Sequence, residues 1–144
     1  MKHKITTKWN KGMVLKSTIG DHTITMDAKP EVGGENKGAS PKKIMLSALT
    51  GCTGMDVLSL FKKMRQEVTY FNIKAEADLT EEHPVHYGSI RLFYTVRGEN
   101  LDESKIKKAI DLSMERYCGI SYMLGKAADI SYDLKINTGA EMSN

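Results

Sequence analysis

The stretch SALTGCTGMDVLSLFKKM, residues 47 to 64, decides the fold that this sequence predicts. The segment around it carries no charged side chain between Lys43 and Asp56, and its apolar residues fall on more than one face of a helix. A helix that is apolar nearly all round has to be covered nearly all round. We therefore predict a long core helix that is covered in part by a second copy of the chain.

The start of this helix is indicated by Ser40 and Pro41, because serine is a good N-cap and proline is favoured at the first helical position. Inside it, Gly51 and Gly54 flank Cys52. Each glycine costs about 1 kcal/mol relative to alanine in a helix interior. We therefore expect another backbone to approach this helix closely, or a small molecule to reach the thiol.

The rest of the chain alternates between strand and helix patterns. Apolar and polar residues alternate where strands are expected, and Asp102 is the expected N-cap of a second helical region. The predicted order is βββαββαβ, an α+β class, in a single domain over residues 1–144. Its parts are a β meander (1–28), the central helix with Cys52 (40–66), a β hairpin (68–98), a second helix region with Cys118 (102–126), a last strand (129–137) and a frayed end (138–144).

Composition excludes several function classes. The 144 residues carry a formal net charge of +3, spread along the chain without an aromatic-rich basic stripe, so we expect no nucleic-acid partner. We find no run that approaches the roughly 20 apolar residues of a membrane span, and no signal peptide. The expected location is therefore the cytoplasm, where two cysteines are too few for a disulfide scaffold.

The two cysteines allow a structural and a chemical interpretation. By residue type alone, Cys52 and Cys118 are small hydrophobic residues of a core. A reactive cysteine has to be a thiolate, which a nearby cation favours. Lys42 and Lys43 lie about 13 to 15 Å from Cys52 along the same helix, so they could serve a neighbouring chain's thiol more easily. Asp56 could form a local hydrogen bond, but an anion does not activate a thiol.

Metal and nucleotide sites are not expected. His83 and His86 could complete a Cys2His2 zinc site with the two cysteines, but the cysteines are far apart in sequence and the histidines flank Pro84 in a hairpin loop. Solvated loop histidines are the favoured interpretation. The sequence contains no P-loop and no GxGxxG motif, so we assign no metal and no cofactor.

Three segments together resemble the OsmC/Ohr family of thiol peroxidases. They are ASPKKIMLSALTGCTGMDVLSLFKKMRQ, EEHPVHYGSIRLFYTVRGENL and AIDLSMERYCGISYML, and the resemblance extends from about Trp9 to Ile136. The set is specific: a proline, a later GCxxxD, and YC after a predicted helix. It implies an α+β fold with two long central helices packed between antiparallel sheets of an intertwined homodimer.

The resemblance also implies a reaction. Cys52 resembles the peroxidatic cysteine, which attacks an organic hydroperoxide and becomes a sulfenic acid. Cys118 resembles the resolving cysteine, which closes a disulfide that a dithiol reductant reopens. Such a cycle serves oxidative and osmotic stress defence. The sites would lie at the dimer interface, where apolar walls suit lipid-like hydroperoxides.

The sequence departs from the family pattern at the charged residues. Relatives carry a glutamate just after the proline of the central helix, paired with an arginine that steadies the thiolate. Here Lys42 and Lys43 occupy that neighbourhood, Glu35 follows a glycine pair, and no arginine precedes Arg65. Glu35 with Lys42 or Lys43 is a candidate for the same ion pair reversed. The alternative function is a catalytically weak or inert dimer that binds a small apolar ligand at its cleft.

Overall fold

The computed structural model describes residues 1–138, with the side chain of residue 138 excepted, and the chain divides into two compact units, 1–45 and 46 onward. The predicted element order βββαββαβ is confirmed, and the further helical turn expected between Gly119 and Gly125 is present as a third short helix. That the whole chain forms a single domain stays a prediction. Most of the predicted frayed end, from residue 139 on, lies outside the described residues.

The first unit contains an antiparallel meander of β1 (Thr6–Lys11), β2 (Val14–Ile19) and β3 (His22–Met26). Gly12 and Gly20 turn the chain between these strands with φ of 58° and 59°. L-residues with a Cβ rarely adopt this left-handed conformation, so glycine suits both tight turns. After β3, a short 3-10 turn over Pro30–Val32 leads toward the long helix.

Helix α1 (Pro41–Lys63) is the predicted central helix, and it begins as the Ser40–Pro41 signal indicated. The Ser40 carbonyl accepts a hydrogen bond from the Ile44 N–H at 3.1 Å. The helix ends three residues before the predicted end at residue 66, because Arg65 adopts a left-handed φ of 56°.

Helix α1 is long and apolar, although its sequence contains no run of about 20 apolar residues. By length and composition alone this helix could cross a membrane. The core helix of a soluble protein passes the same test, so the property says little by itself. Leu49, Val57 and Phe61 of α1 are buried in the hydrophobic core of the second unit, which gives one apolar face of the helix a packing role.

The second sheet is mixed, which corrects the prediction of antiparallel sheets. Strands β4 (Val68–Leu79) and β5 (Tyr87–Gly98) form the predicted hairpin. Strand β6 (Asp129–Thr138) then pairs in parallel with β5. The reason is the crossover through the second helical region, which returns the chain to the end of the sheet at which β5 started. Central strand β5 contributes the buried side chains Ile90, Leu92, Tyr94 and Val96.

The second helical region is broken into three pieces, so only α1 is a long helix. Helix α2 (Glu103–Leu112) is capped by Asp102, whose carboxylate accepts hydrogen bonds from the backbone N–H groups of Ser104 and Lys105. A π-helical turn (Ser113–Tyr117) follows, and then helix α3 (Gly119–Leu124). The break falls at Cys118, whose extended backbone (φ −77°, ψ 100°) interrupts the helix.

Close packing explains one of the two glycines in α1, Gly54. A Cβ built at this position would lie 3.3 Å from the Ile73 side chain of β4, which is tighter than most real contacts. Side chains of the sheet therefore pack closely against the helix at Gly54, whereas the prediction was the approach of another backbone or of a small molecule. A Cβ at Gly51 would meet no atom of the described residues within 4 Å.

Candidate active site

The two cysteines, distant in sequence, lie side by side in the second unit. Their Sγ atoms and a carboxylate oxygen of Asp56 are all within 4.8 Å of one another. Both thiols are free; Cys52 is half-buried in α1, and Cys118 is buried with 3% of its surface exposed. The fold thus brings together the two residues that the sequence suggested for redox chemistry.

Asp56, for which the sequence suggested a local hydrogen bond, is the third member of this cluster. It follows Cys52 by four positions on α1, and residues spaced in this way lie on the same helix face. The GCxxxD spacing was therefore a usable signal. Its meaning depended on the location of Cys118, which comes from a different element and could not be read from α1 alone.

Cys118 sits in the break between the π-helical turn and α3, where its side chain acts as an N-cap. The Ser121 N–H donates to Cys118 Sγ at 3.3 Å. Burial raises the pKa of the Cys118 thiol; the Ser121 N–H opposes this shift, and neighbouring Cys52 adds to it. The surroundings of Cys118 therefore favour a neutral thiol.

A buried chain of hydroxyl groups supports the site from the side of the core. Thr53 Oγ1 lies 2.8 Å from Tyr94 OH and 2.8 Å from Ser113 Oγ, and Ser113 Oγ donates to Asp56 Oδ2 at 3.1 Å. Because an ionised carboxylate only accepts, the order Tyr94→Thr53→Ser113→Asp56 satisfies these three contacts with three protons. Tyr94 OH also lies 3.5 Å from Met114 Sδ. The network joins α1, β5 and the π-helical turn at the carboxylate beside the thiols.

Nothing in the sequence pattern marks Tyr94 and Ser113 as residues of a site. Both belong to patterns that predict ordinary core positions, and their polar groups are paired only with residues far away in sequence. Burial raises the pKa of Tyr94 to about 12, so its hydroxyl stays protonated at neutral pH.

The predicted ion pair of Glu35 with Lys42 or Lys43 is not the one found within the chain. Glu35 pairs instead with Lys37, at 2.5 Å, and both side chains are exposed. The physical reason is proximity, since the two residues are neighbours in the same loop. Lys42 and Lys43 lie in the first turn of α1, whereas Cys52 lies near its middle. That one of these lysines stabilises the Cys52 thiolate of a second copy stays a prediction.

His86 of the hairpin forms its hydrogen bonds within its own loop. The His86 N–H donates to Thr80 Oγ1 at 3.1 Å, and His86 Nδ1 lies 2.7 Å from the Pro84 carbonyl oxygen. Over residues 1–138, the cluster of potential metal ligands is Cys52, Asp56 and Cys118, and it includes neither His83 nor His86.

A shallow groove of about 380 Å³ runs along α1 beside Gly51. Met55 and Leu58 line it, and they are 75% and 49% exposed in the single chain. Phe71 and Ile73 of β4 form its other side. Within the described residues of the second unit, Met55 and Leu58 therefore form an exposed apolar side of α1.

The fold and the site define the class: an α+β protein in which a thiol of the long central helix lies beside a second thiol, at the break within the second helical region. A model of the OsmC-like protein family matches residues 34–133. Protein YhfA of Escherichia coli (strain K12) is 33% identical over 130 residues, which cover 90% of this chain and 94% of YhfA. The chain therefore belongs to the OsmC-like family.

Solved structures agree with this assignment. An OsmC-like protein from Mycoplasma pneumoniae superposes with a TM-score of 0.82 at 19% identity, over 94% of this chain and 97% of that one. The organic hydroperoxide resistance protein OhrB of Bacillus subtilis superposes with a TM-score of 0.67 at 16% identity, over 94% and 98%. At these identities the two superpositions establish the shared fold. The resemblance that the sequence motifs indicated is confirmed.

Proposed function

We propose that this protein is a thiol-dependent peroxidase that reduces organic hydroperoxides in stress defence. The observation that carries the proposal is the pair of free thiols at Cys52 and Cys118, whose sulfur atoms lie within 4.8 Å of each other. A hydroperoxide resistance protein with the same fold supports the choice of substrate class.

The chemistry proceeds in two steps. The Cys52 thiolate attacks the O–O bond, a sulfur–oxygen bond forms, and the alkoxide leaves and takes up a proton as the alcohol. The Cys118 thiol then attacks the sulfenic acid, which closes a disulfide and releases water. A dithiol reductant returns both sulfurs to the reduced state by thiol–disulfide exchange. Half-buried Cys52 suits the attacking role because a substrate can reach it, and buried Cys118 suits the resolving role.

The proposal includes a cytoplasmic homodimer. The exposed apolar residues of α1, among them Met55 and Leu58, support a second copy as the cover of this helix. A lysine of that copy, Lys42 or Lys43, is the proposed source of positive charge beside the Cys52 thiolate. A lysine lacks the planar fork with which arginine holds two oxygens at once, so we expect a less rigid site than an arginine provides.

The test is consumption of cumene hydroperoxide by the reduced wild-type protein. We expect one disulfide per chain and loss of turnover in Cys52→Ser. Cys118→Ser should retain the first step and accumulate a sulfenic acid that a dimedone-type reagent traps. A wild-type protein that consumes peroxide no faster than free cysteine would contradict the proposal.

A second candidate function is supported by the groove along α1. In this alternative the thiols are inert, and the groove beside Gly51 holds a small apolar ligand within the dimer. Co-purified lipid, or thermal stabilisation by fatty acids without thiol oxidation, would favour it. The pH dependence of Cys52 alkylation separates the two candidates, because an activated thiolate reacts at lower pH than an ordinary thiol.

A further inference from the structure

The cluster of Cys52, Asp56 and Cys118 has the donor set of a metal site. It offers two sulfur atoms and one carboxylate oxygen, all within 4.8 Å of one another. In a tetrahedral zinc site, with metal–sulfur distances near 2.3 Å and metal–oxygen distances of 2.0–2.2 Å, neighbouring ligand atoms are about 3.5 to 3.8 Å apart. Side-chain adjustments of about 1 Å would bring these three atoms onto one ion.

Two of the three ligands are already oriented by hydrogen bonds. Ser113 Oγ donates to Asp56 Oδ2 at 3.1 Å, which leaves the other carboxylate oxygen for a cation. Ser113 is completely buried and is held in turn by Thr53, also completely buried. The Ser121 N–H fixes the Cys118 sulfur. Such outer-shell hydrogen bonds orient the ligands in known metal sites.

The carboxylate of the cluster is not among those that pair with a basic side chain in residues 1–138. In the described part of the chain, the ion pairs join Glu35, Glu76, Asp111 and Asp133 to basic residues, and none involves Asp56. On binding a divalent ion the two cysteines would lose their thiol protons, so that two thiolates and a carboxylate would surround the ion.

We propose that the reduced protein binds one thiophilic divalent cation of the Zn²⁺ class through Cys52, Cys118 and Asp56, with a fourth position left open. Two sulfur donors select such an ion over Mg²⁺ or Ca²⁺, which prefer oxygen ligands. Half-exposed Cys52 gives the ion its entry path. The bound ion occupies both sulfurs, so it protects the thiols from oxidation, whereas a Cys52–Cys118 disulfide abolishes the site.

The test is a titration of the fully reduced protein with Zn²⁺ in the absence of any peroxide. Equilibrium dialysis should give one ion per chain, and the ion should block alkylation of both cysteines until a chelator removes it. Mg²⁺ should do neither. The disulfide form of the same wild-type chain serves as an internal control that contains no new variant, and it should bind no zinc.

Variants assign the ligands. Cys52→Ser, Cys118→Ser and Asp56→Asn should each weaken zinc binding at least about 100-fold, and Ser113→Ala about 10-fold or more. Asp78→Asn is the matched control, because Asp78 also accepts a serine hydroxyl, from Ser89 at 3.1 Å, but lies on β4. It should bind zinc as the wild type does.

Two results would overturn the inference. One is that added zinc leaves the alkylation rates of Cys52 and Cys118 unchanged. The other is zinc binding that persists unchanged in the disulfide form, which would place the ion elsewhere. Neither result depends on peroxidase turnover, so the metal site and the proposed function can fail separately.

Discussion

Thr53→Val is the substitution that most directly tests the buried network beside the thiols. Valine has nearly the shape of threonine, so the change removes one hydroxyl without opening a large cavity. Thr53 is completely buried and bonds to both Tyr94 OH and Ser113 Oγ at 2.8 Å. In the variant, the buried hydroxyls of Tyr94 and Ser113 each lose their hydrogen bond to Thr53.

The expected loss of stability depends on which hydrogen-bond partner Tyr94 and Ser113 each retain in the variant. An unsatisfied buried polar group costs about 1 to 3 kcal/mol. Tyr94 retains the contact with Met114 Sδ and Ser113 retains Asp56, so we take the lower end for each. The free energy of unfolding should fall by about 2 kcal/mol. For a chain of this size that corresponds to a fall in Tm of about 4 to 8 °C.

The assay is urea unfolding at one fixed protein concentration, because dimerisation would make the stability concentration-dependent. Thr53→Ser is the matched control; it keeps both hydrogen bonds and loses one methyl group, at about 1 kcal/mol. A double-mutant cycle of Thr53→Val with Tyr94→Phe should give a coupling of about 1 kcal/mol, since the double variant leaves no phenol unpaired.

The reasoning is refuted if Thr53→Val is as stable as the wild type while Thr53→Ser is not. A coupling near zero with Tyr94 would also contradict it, because it would mean that the 2.8 Å contact carries no energy.

Three further expectations concern other parts of the fold. The pKa of Tyr94 is raised to about 12, so between pH 10 and 12 the folded state keeps a proton that the unfolded state releases. The free energy of unfolding should therefore fall with rising pH in this range, by up to about 1.4 kcal/mol per pH unit more in the wild type than in Tyr94→Phe. Denaturation measured at a series of alkaline pH values tests this. Gly51→Ala should stabilise the chain by up to about 1 kcal/mol, whereas Gly54→Ala should gain less because the Ile73 methyl at 3.3 Å must move; equal gains in thermal melts would contradict the packing described. Asp27→Asn should speed hydrogen exchange at the three backbone amides that donate hydrogen bonds to the Asp27 carboxylate. Unchanged exchange rates would mean that these hydrogen bonds do not hold the loop.

The course of α1 could be predicted from sequence because its determinants are local. Ser40 and Pro41 indicate where the helix begins, and an uncharged run up to Asp56 indicates that it is apolar on several faces. The three-stranded meander was similarly local, since Gly12 and Gly20 supply the turn conformations that the alternating segments need. Backbone preferences and periodicity act over a few residues, so a single sequence is enough to show them.

The arrangement of the site was decided by tertiary structure. Nothing in the residues near Cys118 indicates that α1 runs past it, or that Ser113 would reach back to Asp56. These contacts join positions 57 or more residues apart. They exist because β5, α1 and the second helical region pack against one another, and packing depends on side-chain shapes from all three elements at once. The residue types and motifs identified the two cysteines as candidates for chemistry; the fold determined that they lie together with the carboxylate of Asp56.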